Sequence, residues 1–163
     1  MKLVKHALAI GLIAASSSAM ADSWLYAGGS VGSSSFEGDN TSTFGFHVGT
    51  GILPIIGIEA GYWNHGKFEY KGEDYDFDSF YAAIKPSVDL GPVHLYGRLG
   101  AHTYSGNVGA TYDGKDDGVD LMYGVGAEYF VIDMLSVGVG YQNFEFDKTN
   151  IDSWTLNATF HFL

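Results

Sequence analysis

The chain contains no cysteine, which excludes a disulfide framework, a thiolate nucleophile and a lipid-modified N-terminal cysteine. Basic residues are scarce: eight Lys and Arg stand against 19 Asp and Glu. Nucleic acid is held by neutralising its phosphates with Lys and Arg, so a chain of this sign has no nucleic-acid partner. Proline occurs three times, and no stretch beyond residue 21 keeps a 3.6-residue helical period. The apolar run Ala7 to Ala15 is too short to cross a bilayer as a helix, which takes about twenty residues. Glycine, at 23, and Tyr plus Phe, at 11 each, are plentiful. That is a composition of strands and turns, with rings suited to pleated surfaces.

The first 21 residues carry the marks of an export signal. Lys2, Lys5 and His6 form a basic head, Ala7 to Ala15 an apolar stretch, and Ser16 to Ala21 a small-residue segment ending in Ala19-Met20-Ala21. An A-x-A site of this kind places the cut before Asp22. The mature chain, 22–163, then keeps six basic residues against 19 acidic ones, a net charge of −13. Its length suits one domain.

The last ten residues show the dominant pattern. Trp154, Leu156, Ala158, Phe160 and Phe162 fall on one face of a strand, and Thr155, Asn157, Thr159 and His161 on the other. A tilted bilayer-crossing strand needs roughly nine to eleven residues. The same alternation predicts seven more strands: 24–34, 43–52, 56–64, 79–88, 93–104, 121–130 and 135–144, with 153–162 as the eighth. Tight turns at Leu53-Pro54-Ile55, Asp89–Pro92 and Val131–Met134 alternate with longer connections at 35–42, 65–78, 105–120 and 145–152. In an even-stranded antiparallel barrel every second connection emerges at the same end, so turns gather at one end and long loops at the other. The longer connections hold 14 Asp and Glu against Lys67, Lys71, Lys115 and Lys148.

Alternation alone also fits a soluble barrel of the lipocalin type, with the apolar face inward. The polar face decides between them, because it is largely glycine: Gly28, Gly45, Gly49, Gly61, Gly124, Gly126, Gly138 and Gly140 among others. A solvated exterior wants interspersed charge, whereas small residues make room inside a narrow eight-stranded barrel. On the apolar face Phe44, Tyr62, Phe80, Tyr129, Tyr141, Trp154 and Phe162 sit near strand ends, where interfacial girdles belong. The expected fold is an all-β, eight-stranded, antiparallel up-and-down transmembrane barrel. Val139 should face lipid and not tolerate Arg, and Gly138→Ser, on the opposite face among polar interior groups, should be the milder change. In phase with the polar face are Glu59, Lys85, Arg98 and Glu128. Charge facing lipid is costly and enclosed charge needs partners, so these four predict an interior salt-bridge network. In it Glu128→Gln should relieve part of the loss caused by Arg98→Ala. Tyr26, Tyr81 and Tyr96 should fill the interior beside Lys85 and Arg98.

These features resemble the small outer-membrane barrels of the OmpA transmembrane domain, OmpX and Ail group. The resemblance spans the mature chain and rests on Trp24-Leu25-Tyr26-Ala27-Gly28-Gly29-Ser30-Val31-Gly32, Gly57-Ile58-Glu59-Ala60-Gly61-Tyr62 and Gly124-Val125-Gly126-Ala127-Glu128-Tyr129. It implies an interior of ionic and polar side chains, a monomer in the Gram-negative cell outer membrane, and contact with outer-membrane lipid and lipopolysaccharide. It also implies delivery by the barrel-assembly machinery through the C-terminal strand, and loops that could hold a surface ligand. The chain departs from the group by ending on Leu163 after Phe162 and by having no peptidoglycan-binding domain after the barrel.

Few residues carry candidate chemistry. His47, His94, His102 and His161 fall on the interior phase, and His65 opens a long connection as a solvated loop residue. Lipid hydrolysis needs His, Ser and a carboxylate converging where lipid can reach. His102-Thr103-Tyr104-Ser105 comes nearest and lacks a carboxylate in register. Asp74–Asp78 and Asp113–Gly118 are acidic but lack the spacing of a calcium loop. No catalytic, cofactor or metal residue is assigned. The expected function is structural or surface-interacting (adhesin-like), with a narrow ion-conducting pore as the alternative and a lipid-modifying enzyme third.

Overall fold

The computed structural model describes residues 25–70, 73–108, 115–146 and 149–162. The expected signal at 1–21 and Trp24 lie outside them. Most of the two acidic stretches weighed for calcium, 74–76 and 113–117, lies outside the residues whose side chains are described.

Eight strands follow in chain order: β1 Leu25–Phe36, β2 Asp39–Leu53, β3 Ile56–Tyr70, β4 Glu73–Leu90, β5 Val93–Val108, β6 Lys115–Ile132, β7 Leu135–Phe146 and β8 Thr149–Phe162. Each pairs antiparallel with its chain neighbours, and β1 pairs with β8 from Leu25↔Phe162 to Ser35↔Asp152, closing the barrel. Closure leaves no sheet edge in the wall, a condition for β-structure in hydrocarbon. Pro86, which has no N–H, coincides with a gap in the β4–β5 register between Ile84↔Leu99 and Ser87↔Tyr96.

The strands run past the expected boundaries at the loop end. The β3–β4 ladder reaches Tyr70↔Glu73 and the β5–β6 ladder Asn107↔Lys115. The expected loop 35–42 contracts to a two-residue turn, Glu37-Gly38, with φ of 49° and 96°, the left-handed geometry that tight hairpins use. Beyond the membrane the outer strand face no longer meets lipid. Apolar and polar residues then need not alternate, and the backbone ladder continues without a sequence signal.

Facing follows the alternation. Phe46, Val48, Ile58, Ile84, Leu99, Val125, Val139 and Leu156 are exposed on the outer wall. Two aromatic belts bound this apolar zone: Tyr129, Phe160 and Phe162 at the turn end, and Phe44, Tyr62, Phe80, Tyr123, Tyr141 and Trp154 at the loop end. Ring contacts link Phe44 to Tyr62, Tyr62 to Phe80 and Tyr141 to Trp154. The inward glycines are required by close approach. A Cβ at Gly45 would meet the Trp63 indole, and one at Gly126 the Tyr96 ring.

The same geometry makes Gly138 a tight site, where a Cβ would run into the Ala127 carbonyl and the Glu128 side chain. Two tests follow. Val139→Arg places a charge on the lipid face and should cost about 2–4 kcal/mol near the midplane. Gly138→Ser should also destabilise, by about 1–3 kcal/mol, because overpacking forces the backbone to shift. Urea unfolding in lipid vesicles measures both, and a harmless Arg at 139 would mean that the faces are inverted.

Candidate functional site

The barrel interior is layered. On the turn side of the interior, Glu59 (β3), Lys85 (β4), Arg98 (β5) and Glu128 (β6) all point inward and are buried. Arg98 Nε donates to Glu59 Oε1 at 2.6 Å and Nη2 to Oε2 at 3.2 Å, a forked pairing of guanidinium and carboxylate. Tyr81 and Tyr26 hydroxyls donate to the same carboxylate at 2.6 and 3.2 Å. Glu59 is thus the hub, with four donated hydrogen bonds. Lys85 Nζ lies 3.9 Å from Glu59 Oε2 and above the rings of Tyr26 and Tyr96, at 4.2 and 4.7 Å from their centroids. Its charge is held by one carboxylate and two ring faces.

Glu128 has no direct bond to this cluster. Among the described residues it makes no ion pair within 4.0 Å. Its carboxylate accepts hydroxyls from Ser136 at 2.9 Å and Thr159 at 3.1 Å. Each hydroxyl has one proton, already committed to Glu128, so the histidines behind them must donate. His161 Nε2 gives to Ser136 Oγ at 2.9 Å and His47 Nε2 to Thr159 Oγ1 at 3.2 Å. A hydrolytic triad needs His between hydroxyl and carboxylate. Here the hydroxyl lies between them, so neither histidine can take its proton.

Toward the loop end the interior holds an apolar cluster, which the sequence reading missed. Trp63, Tyr81, Ala83, Tyr104, Met122, Phe144, Phe146 and Ile151 form one buried cluster above the charges, with Phe36 and Phe77 against it. The signal was present: Trp63 shares a phase with Glu59 and Gly61, and Met122 with Gly124 and Glu128. His65 also belongs here and is fully buried, not solvated. It and His102 meet at Ser79. His102 Nε2 donates to the Glu145 carbonyl at 2.7 Å, so Nδ1 accepts the Ser79 hydroxyl at 3.2 Å and His65 Nε2 donates to Ser79 Oγ at 2.9 Å. Ser79 is thus a serine bonded to His102, and it is fully buried beside the aromatic cluster, while the Ser105 side chain lies outside those described. At the turn end His94 Nδ1 bonds Asp89 Oδ1 at 2.6 Å. No group of three or more His, Asp and Glu suited to a metal is present among the described residues.

The hub sets an order of coupling. Arg98→Ala leaves the Glu59 charge enclosed and should cost about 3–5 kcal/mol. Adding Glu59→Gln should recover about 1 kcal/mol or more, because the two are in direct contact. Adding Glu128→Gln should be close to additive, since hydroxyls hold that carboxylate. A double-mutant cycle in urea on lipid-refolded protein reads these terms; equal coupling of Arg98 to both acids would contradict the hub.

Comparison with known proteins follows from this geometry. No curated protein shows a significant sequence match. Among solved structures, Ail, the attachment invasion locus protein of Yersinia pestis in complex with the heparin analogue sucrose octasulfate, is 19% identical with a TM-score of 0.58; the match covers 85% of this chain and 96% of Ail. Neisserial surface protein A is 15% identical at 0.62, over 85% of this chain and 96% of that one. The N-terminal β-barrel domain of Pseudomonas aeruginosa OprF is 10% identical at 0.66, over 84% and 97%. At these identities the likeness is one of fold. The family model described as outer membrane protein beta-barrel domain matches residues 7–162, so the chain belongs to the family of small outer-membrane β-barrels.

Proposed function

We propose that the protein is exported with its signal removed before Asp22, spans the outer membrane as one plugged barrel, and acts at its loop end as a structural or surface-interaction protein. The observation that carries this reading is the filled interior. Tyr26, Lys85, Arg98, Tyr96, Trp63, Phe144 and Met122 are all buried along its length, as expected of eight strands, whose lumen side chains can fill. Only the lipid-facing wall and the rims then remain for contact. Neither histidine–hydroxyl set supports catalysis, because one has the wrong order and the other is sealed.

The sign of charge narrows the partner. The loop-end segments hold 14 acidic residues against four lysines. Ail was solved with a sulfated, anionic heparin analogue; an acidic rim has the same sign as such a ligand, repels it and favours cationic surfaces. The pore reading has less support, because conduction would require Lys85 and Arg98 to leave their partners beneath an aromatic cap.

Two measurements test this. In planar bilayers the purified barrel should show no steady, porin-like conductance. Immobilised in lipid, it should bind poly-lysine in a salt-sensitive way and leave heparin unbound. Steady conductance would favour the pore, and preferential heparin capture would contradict the charge argument.

A further inference from the structure

The outer wall is grooved along β1. From the turn end upward, Ala27, Gly29, Val31 and Ser33 face outward. They lie between Val48, Phe46 and Phe44 on β2 and Phe160, Leu156 and Trp154 on β8. Short side chains thus form a floor between two higher ridges, and Ala158 beside Gly29 widens it. Both ridges are braced, because Phe44 touches Phe46 and Tyr62 and Trp154 touches Tyr141. Toward the loop end the groove deepens into a hollow of about 680 Å³, bordered by Val31, Ser42, Phe44, Trp154 and Leu156 among others.

Gly29, in that floor, is a glycine that nothing in the protein requires. Its φ lies outside the left-handed region. A Cβ there would have the Gly45 carbonyl oxygen and the Phe46 ring at 3.8 Å, an ordinary contact. At the inward glycines around it, Gly28, Gly32, Gly45 and Gly49, a Cβ would collide. Glycine in mid-strand weakens the strand and marks places where a ligand comes close. The space left at Gly29 opens outward, between the ridges.

Position and length say what fills it. The groove lies within the apolar wall of an outer-membrane barrel, where the surrounding medium is hydrocarbon and not water. From Ala27 to Ser33 it runs about 20 Å, at about 3.3 Å per residue. A strand tilt of about 40° turns this into a depth of about 15 Å, against an apolar band about 25 Å tall. That is the depth of one leaflet, the one on the loop side.

We propose that the groove holds one acyl chain of a lipid in the loop-side leaflet, with the polar head at the Ser33 and Ser42 hydroxyls. A chain lying there meets a floor and two side walls, where the rest of the barrel offers one surface. Dispersion contacts are small singly and large in sum, so this chain exchanges more slowly than its neighbours. The proposal rests on the wall alone and is independent of what the loop end binds.

Photolabelling tests it. The mature barrel is reconstituted in dioleoylphosphatidylcholine vesicles containing a small fraction of phosphatidylcholine with a mid-chain diazirine. After irradiation, adducts are mapped by mass spectrometry. Labelling at Val31, Phe44 and Leu156 should exceed that at Ile84, Leu99 and Val125 on the other side by at least about threefold, because added contact lengthens residence. Gly29→Leu with Ser33→Leu fills the floor. This variant should match or exceed the parent in urea, since a Cβ at 29 meets no clash, yet its groove labelling should fall to that of the other side. Ala101→Leu, on the outer face of β5, should leave groove labelling unchanged. Circular dichroism and folded gel mobility check each variant, and the parent's own labelling decides the matter if the filled variant does not fold. Even labelling around the parent barrel, or groove labelling that persists after filling, would overturn the proposal. So would cross-linked barrel pairs that vanish on filling, which would assign the groove to a second copy.

Discussion

Backbone hydrogen bonding in a medium without water is the constraint on which the rest of this molecule depends. A peptide group left unpaired in hydrocarbon is expensive, and strands can satisfy it only by closing on themselves. The β1–β8 pairing, in register over eleven residues from Leu25↔Phe162 to Ser35↔Asp152, accomplishes this. Closure at eight strands then fixes a narrow lumen, and the narrow lumen fixes the inward residues. Bulky side chains such as Trp63 and Tyr96 fit only because Gly45 and Gly126 stand opposite them. The glycine content is thus a consequence of closure.

Enclosing charge in that lumen raises a second requirement, met differently by two acids. Glu59 gathers Arg98, Tyr81 and Tyr26, with Lys85 near by. Glu128 is satisfied by Ser136 and Thr159, each backed by a histidine. Buried ion pairs contribute little net stability compared with apolar filling, yet breaking one is costly. Their effect here is to fix one arrangement of the interior. The apolar layer from Trp63 to Phe146 then separates these polar groups from the loop end.

Period-two alternation made the fold legible wherever one face meets lipid and the other the lumen. The turn-end boundaries fall within a residue or two of the strands expected there, and Val139 and Phe46 face outward as read. Beyond the aromatic belts the signal disappears, because the outer face has left the lipid and no longer requires apolar residues. His65 was therefore read as a loop residue although it lies buried within β3. The four interior charges could be read from phase, but their pairing could not. Phase says which residues point inward, and only the stagger between strands says that Arg98 meets Glu59 while Glu128 meets hydroxyls.

The central claim is that side chains fill the barrel around Glu59 and Arg98, leaving no water column. Nitrogen-15 NMR of the Arg98 Nε–H group in lipid nanodiscs tests it most directly. A guanidinium held by Glu59 at 2.6 Å in a dry interior should give a resolved signal that exchanges slowly with solvent and is lost on Glu59→Gln. Rapid exchange, as for a free arginine in water, would mean that the lumen is open, and the plugged-barrel account would fail.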